Sequence, residues 1–349
     1  MFTESSAETS TETSTGDPQP TLLIDLATGL WKAQTLTAAI ETGVFEALAA
    51  GASSAPELAG RLGLGERPAE ILLTACTALG LLEQRDGRYR NTAVADHYLV
   101  PGLPDYFGGY VQMVAQYTAP GWMRATEAVR TDAPTKPVPD PDRNMFEEGN
   151  RPKSFWDGLF AFSTLTARQM AAAVDFSGVR RIMDVGGGAG ATLIELCRQH
   201  PHLSGTVVDL PHVCALARER IDAAGMSGRI STAAADFFAD PLPTGHDAVL
   251  LSMIMHDWDE NQNRKLLASC LDTLPSGGTV LISELLVDDD KSGPVDAALM
   301  SMNMLVGTWG RNYTGAEYAG WLRDAGCDRV RTVRFDSPGA NGVVRGEKA

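Results

Sequence analysis

A run of glycines behind a carboxylate is the part of this 349-residue chain best suited to chemistry. Asp184-Val185-Gly186-Gly187-Gly188-Ala189-Gly190 follows the apolar run RRIMDV and precedes an amphipathic stretch from Ala191 to His200. A strand-to-helix junction of this kind needs glycine because the turn is tight and a ligand must approach the backbone with no Cβ in the way. Gly186, Gly188 and Ala191 also satisfy the G-x-G-x-x-A dinucleotide pattern, so the loop alone does not separate NAD from S-adenosylmethionine. Three carboxylates at the ends of successive strand candidates narrow the choice. Asp184, just ahead of the first glycine, would repel a pyrophosphate but could accept from the ammonium of an amino-acid cofactor. Asp209 closes GTVVDL about twenty residues past the loop, where an acidic side chain takes ribose hydroxyls, a need both cofactors share. Asp236 and Phe237 close RISTAAADFF and bring a carboxylate and a π face to one place, as the amino edge and plane of an adenine require. Phe238 reads as core packing. The set favours S-adenosylmethionine and disfavours an NAD-dependent oxidoreductase.

Five of the six histidines (His97, His200, His202, His212 and His246) fall on predicted loops or helix flanks. His256 directly follows the apolar run DAVLLSMIM, and C-terminal strand ends are where open α/β sheets bind ligands.

The elements that must hold these residues divide the chain in two. TDAPTKPVPDPD, from Thr131 to Asp142, carries four prolines and cannot continue a helix, so residues 131–150 read as a linker. Beyond it, residues 151–349 open with helical spacing from Phe155 to Val174. There RRIMDV, GTVVDL, RISTAAADFF, DAVLLSMIM, GTVLISELLV and DRVRTVRF alternate with amphipathic segments. Near-continuous apolar runs such as AVLL indicate parallel strands buried on both faces, hence a doubly wound, Rossmann-like α/β domain. Residues 21–130 read as mostly helical. Leu22, Leu23, Leu26, Leu30, Ala33, Leu36, Ile40, Val44 and Leu48 recur at helical spacing and predict a long amphipathic region. Ser54-Ala55-Pro56-Glu57 is a capping box opening a helix to Leu62. A second helix runs from Arg67 to Leu82, and Asp86-Gly87 predicts a turn between two short strands within Glu83 to Thr92. Together these suggest a winged helix.

A winged helix raises DNA binding, but the candidate recognition helix PAEILLTACTALGLL has no basic residue after Arg67. With 29 Lys and Arg against 44 Asp and Glu, the net charge of -15 also repels phosphate backbones and anionic membranes. The bland reading is a packing module at a subunit interface. No apolar run approaches the roughly 18 residues of a membrane span. Residues 1–20 have no Lys, no Arg and no apolar core, so they read as a flexible tail rather than a signal peptide, and the cytoplasm is the expected location. Five cysteines without CxxC spacing predict buried, reduced thiols and neither a disulfide framework nor a zinc site.

Taken in order, MDVGGGAG, VVDLPHV, ADFF, MHDWDE and SGGTVLISELLV make the chain from about Leu22 resemble a known family. It is that of SAM-dependent small-molecule O-methyltransferases with an N-terminal dimerisation domain, which includes plant caffeate and flavonoid enzymes and bacterial polyketide-tailoring enzymes. The resemblance implies an intertwined homodimer, S-adenosyl-L-methionine as cofactor, and a phenolic hydroxyl of an aromatic secondary metabolite as acceptor; that chemistry needs no metal, and no cluster with metal-ligand spacing stands in the sequence. C- or N-methylation, or a repurposed non-methylating member, is the alternative. His256 matches the histidine of the HDW motif and becomes the general base; an imidazole near pKa ~6.5 suits a phenol near ~10. Glu284 matches the carboxylate that orients it. Asn312, in Trp309-Gly310-Arg311-Asn312-Tyr313-Thr314, stands where the family usually has a glutamate in GGRERT, and an amide cannot carry negative charge. Asp257 could compensate, although capping the next helix is the first expectation for it. The implied cofactor contacts are Asp184, Gly186, Gly188, Gly190, Asp209, Leu210, Asp236 and Phe237, with Ser252 where plant members often carry lysine, Trp258 beside the adenine, and Phe155 and Ser163 on the helix containing FSTLTARQM. Leu159, Phe162, Met300, Asn303, Met304 and Trp309 are the implied acceptor contacts, and adaptable apolar walls suit a flat aromatic substrate.

Overall fold

The structure, a computed structural model, describes residues 19–136, 146, 148 and 150–349. The tail up to residue 18 and residues 137–145, most of the proline-rich linker, lie outside the described residues. The N-terminal helical region predicted as one element is three: α1 (Thr21–Ala27), α2 (Gly29–Glu41) and α3 (Val44–Ala49). The break before α3 falls at Gly43, whose φ of 77° is open to glycine at no steric cost. β1 (Ser53–Ser54) leads into α4 (Ala55–Leu62) through the predicted capping box, in which Ser54 N donates to Glu57 Oε2 at 2.9 Å. α5 (Glu66–Ala78) ends four residues earlier than its spacing suggested, because Leu82 is taken into β2 (Leu82–Arg85). β2 pairs antiparallel with β3 (Arg88–Asn91) around Asp86 and Gly87, both at positive φ, and the small sheet has the order β1-β3-β2. Phe45, Leu58, Leu73 and Cys76 fill the core beneath this winged helix. The first helices instead leave Leu22, Leu23, Leu26 and Trp31 exposed.

α6 (Ala93–Tyr98), α7 (Gly108–Met113), a π-helical turn at Val114–Thr118, α8 (Ala119–Trp122) and α9 (Ala125–Thr131) lead to the second domain. It begins with α10 (Lys153–Ala173), which crosses α7 where a Cβ on Gly158 would stand 2.9 Å from the Gly109 carbonyl oxygen. Then follow β4 (Arg181–Val185), α11 (Ala191–Gln199), β5 (Ser204–Asp209), α12 (Pro211–Ala223), β6 (Ile230–Ala234), β7 (Ala248–Ser252), α13 (Glu260–Thr273) and β8 (Thr279–Glu284). The chain closes with α14 (Val295–Gly307), α15 (Gly315–Asp324), β9 (Cys327–Arg334) and β10 (Gly342–Lys348). The sheet order is β6-β5-β4-β7-β8-β10-β9. β4 to β8 pair in parallel, and β10 inserts antiparallel between β8 and β9. Six of the seven strands coincide with the predicted apolar runs. β10 was not anticipated, since GVVRGEK has two glycines and three charges around a Val343-Val344 core too short to read as a strand. The strand order reverses between β4 and β7, and the crevice above that point is where an open α/β sheet receives ligands. All five cysteines are free and buried.

Candidate active site

The glycine loop fills the turn from β4 to α11. Gly186, Gly188 and Gly190 all have positive φ, and a Cβ on Gly187 would lie 2.7 Å from Asp184 Oδ2. Asp184 ends up beneath the loop, buried, with neither carboxylate oxygen accepting a hydrogen bond from the described residues. Burial, with Asp209 nearby, raises its pKa to about 8. A buried carboxylate without donors is costly, so its position beside a cavity points to a cationic or hydrogen-donating ligand group. Asp209, at the end of β5, accepts from Gly188 N and Leu210 N, each at 2.8 Å. Burial raises its pKa to about 6, against the pull of those two amides. Asp236 accepts from Phe238 N at 2.9 Å.

These groups open onto one cavity of about 760 Å³ above the switch point. That volume lies in the upper part of the range for small-molecule sites, roughly 300–1,000 Å³. Asp184, Gly186, Gly188, Asp209, Leu210, Asp236, Phe237, Ser252 and Trp258 line it, as do Phe155 and Ser163 of α10. Gly190 does not. It caps α11 at φ 84° and packs against Val207 and Ile221. Phe238 is not in the core but half-exposed at the mouth, edge-on to Trp258 at 4.8 Å, so the aromatic rim has three rings rather than two.

His256 lies just past β7 on a single 3-10 turn and faces the same cavity. Its Nδ1 is 2.8 Å from Glu284 Oε2, a close ion-pair contact that is off-line in angle. Glu284 Oε1 meanwhile accepts from the backbone N–H groups of Ile254, Met255 and His256 at 3.0 to 3.3 Å, so β8 fixes the carboxylate and the turn together. Burial alone would depress the imidazolium pKa, but Glu284 and then Asp257 outweigh it and raise the value to about 9. Nε2 is left toward the cavity, 3.9 Å from Asp257 Oδ1. Asp257 is no helix cap: Asp259 caps α13 by accepting from Gln262 N, while Asp257 faces inward as a cavity wall. Asn312 stands behind the wall. Its amide donates to the Leu285 carbonyl at 2.8 Å, and it makes no hydrogen bond to His256.

Leu159, Phe162, Met300, Asn303 and Met304 line the apolar end of the cavity. Trp309 does not: α14 stops at Gly307, Thr308 is extended, and the indole is 65% exposed. A family model for an O-methyltransferase domain matches residues 144–328, and one for an O-methyltransferase dimerisation domain matches residues 24–101. The chain belongs to the O-methyltransferase family.

Among its relatives, a 3-hydroxy-5-methyl-1-naphthoate 3-O-methyltransferase from Streptomyces sahachiroi is 89% identical over 95% of this chain and 96% of its own length. A tetracenomycin polyketide synthesis 8-O-methyl transferase from Streptomyces glaucescens is 32% identical over 93% and 96%. Human N-acetylserotonin methyltransferase, solved in complex with SAM, superposes with a TM-score of 0.86 at 30% identity, covering 96% of this chain and 99% of that one. In this O-methyltransferase, several wall residues carried no local signal in the sequence. Tyr110 of α7 stacks on Phe162 at 4.5 Å, and Trp122 of α8 donates through Nε1 to Asn303 Oδ1 at 2.9 Å. Both come from the N-terminal half and reach the site only through the α7–α10 crossing and the packing of α8 on α14. Lys136 also lines the cavity.

Proposed function

We propose that this O-methyltransferase transfers a methyl group from S-adenosyl-L-methionine to a ring hydroxyl of a hydroxynaphthoate-like aromatic polyketide. The observation that carries the reading is that a donorless buried carboxylate, Asp184, and a carboxylate-braced imidazole, His256, face one cavity. The residues fit the cofactor: Asp184 would hold its ammonium, Asp209 the ribose hydroxyls, and Phe237, Phe238 and Trp258 the adenine plane. When bound, S-adenosyl-L-methionine supplies an electrophilic methyl on a sulfonium, so the protein need only position the acceptor and remove its proton. His256 takes that proton at Nε2, because Nδ1 is committed to Glu284. Glu284 steadies the imidazolium that forms, as the carboxylate does in a Ser-His-Asp triad. Asn312 serves as a positioning residue, bracing the backbone just past Glu284. Tyr110, Phe162, Met300 and Met304 offer apolar walls to a fused ring and exclude water. The N-terminal domain joins two copies, a reading supported by the dimerisation match and by the exposed Leu22, Leu23, Leu26 and Trp31. Incubation with S-adenosyl-L-methionine and 3-hydroxy-1-naphthoic acid should add one methyl by mass spectrometry, with a methoxy signal by NMR. A methyl on carbon would replace this reading with C-methylation, and no product from hydroxynaphthoates would remove it.

A further inference from the structure

Lys136 stands on the cavity wall at its acceptor end, and Arg151 is a second buried cation whose charge acts on it from outside that lining. Thr135 N and Lys136 N both donate to the Val306 carbonyl, at 2.9 and 3.0 Å, which ties this segment to α14. Thr135 Oγ1 donates to the Gly121 carbonyl at 3.1 Å. The seat depends on small residues: a Cβ on Gly307 would stand 2.9 Å from Lys136 Nζ, and one on Gly121 would stand 2.9 Å from Lys136 Cα. Among the described residues Nζ makes no hydrogen bond or ion pair, although it lines the cavity. Arg151 is 5% exposed and lies over the Phe155 ring at 5.1 Å. Its Nη1 donates to the Asn150 carbonyl, while among the described residues Nε and Nη2 have no acceptor. Burial lowers both pKa values, that of Lys136 to about 8, with Asp257 pulling each back up. Asp257 is one carboxylate against two cations, and it is shared with His256. Unpaired buried charge is expensive, and an ammonium on the cavity wall with no partner among the described residues suits a carboxylate oxygen.

We propose that Lys136, with the buried Arg151 adding positive charge behind it, forms an anion seat that selects acceptors bearing a ring carboxylate, Lys136 holding that group while the ring hydroxyl is presented to His256. The inference rests on the proposed methyl transfer to an aromatic hydroxyl and adds to it the residues that read the acceptor's charge. Asp257 feels both cations and the imidazole, so its one negative charge is shared among the three.

The test compares 3-hydroxy-1-naphthoic acid with its neutral 1-carboxamide. The wild-type protein should favour the acid by about 10- to 100-fold in kcat/KM, the size expected of charge-assisted hydrogen bonds. Lys136→Met should collapse that ratio, chiefly by raising KM for the acid, and Lys136→Arg should retain most of it. S-adenosylhomocysteine binding by calorimetry reports that each variant is folded. Equal use of acid and amide by the wild type overturns the seat while leaving methyl transfer standing, and so does an unchanged ratio in a Lys136→Met protein that still binds the nucleoside. If Lys136→Met fails to fold, the wild-type ratio and Lys136→Arg decide. Methylation of neither compound removes the functional reading and the seat together.

Discussion

Replacing Glu284 by Gln tests the base directly, because the side chain keeps its shape while losing its charge. With the His256 pKa at about 9, the neutral imidazole is roughly 1% of the protein at pH 7 and about half at pH 9. Wild-type kcat/KM should therefore rise about tenfold per pH unit between 6 and 8 and level off near 9. In Glu284→Gln the Oε1 atom can still accept from the turn at Ile254, Met255 and His256, so the local backbone holds. The amide NH2 then faces Nδ1 and selects the tautomer with its proton on Nε2, which cannot accept another. Burial is left as the main influence on the imidazole and carries its pKa below the ordinary value. The rate at pH 8 should fall by about 10²- to 10⁴-fold, and the limb near pH 9 should disappear. Stopped-flow or quenched methylation of one acceptor across pH 6–10 measures both. A phenol that ionises by itself also gives a rising limb, but that limb would survive the substitution. A variant within threefold of wild type with its limb still near 9 would refute the pairing of His256 with Glu284 as the base.

Asp184→Asn should weaken S-adenosylhomocysteine binding by about 10- to 100-fold in calorimetry. Wild-type affinity should rise with pH toward 8, as the carboxylate ionises, and this slope should vanish in the variant. The same raised pKa destabilises the protein before cofactor binds: stability falls as pH rises from about 4 through 8, so Asp184→Asn should raise Tm at pH 7 without cofactor. An unchanged affinity would separate Asp184 from the cofactor. His256→Ala should leave S-adenosylhomocysteine affinity within a fewfold while removing at least about 99% of turnover on a phenol; parallel loss of both would assign it to binding instead. Leu26→Glu, on the exposed face of α1, should shift light-scattering mass toward one chain, and an unaltered dimer would move the interface elsewhere.

The glycine-loop end of the cavity was legible because it is local: Asp184, the glycine loop, Asp209 and Asp236 each sit at the end of an apolar run, and strand ends converge in a parallel sheet. His256 and Glu284 were legible for the same reason. The apolar end was not, because Tyr110, Trp122 and Lys136 reach it only through helix packing across a long stretch of chain. Trp309, an acceptor contact by resemblance, falls outside the cavity lining because the helix ends at Gly307 and the chain is extended at Thr308. Phe238 was assigned to the core because an apolar residue after a strand usually packs, yet the chain leaves β6 at Ala234 and carries both phenylalanines out to the rim. β10 escaped because its burial comes from its neighbours β8 and β9 rather than from its own composition.

The crossing of α7 over α10 limits how this enzyme can be re-engineered. At Gly109 and Gly158 the two helices meet backbone to backbone, with Met113 Cβ also 2.9 Å from the place a Gly158 Cβ would take. A larger residue at Gly158 would pry the roof carrying Tyr110 away from the wall carrying Phe162, whereas a Cβ at Gly109 would meet only the Gly158 Cα, at 4.0 Å. A chimera that exchanges acceptor preference between relatives therefore has to transplant α7 and α10 as one cassette, with its junctions placed outside both helices. A cut at the apparent domain boundary would split the acceptor chamber down its seam.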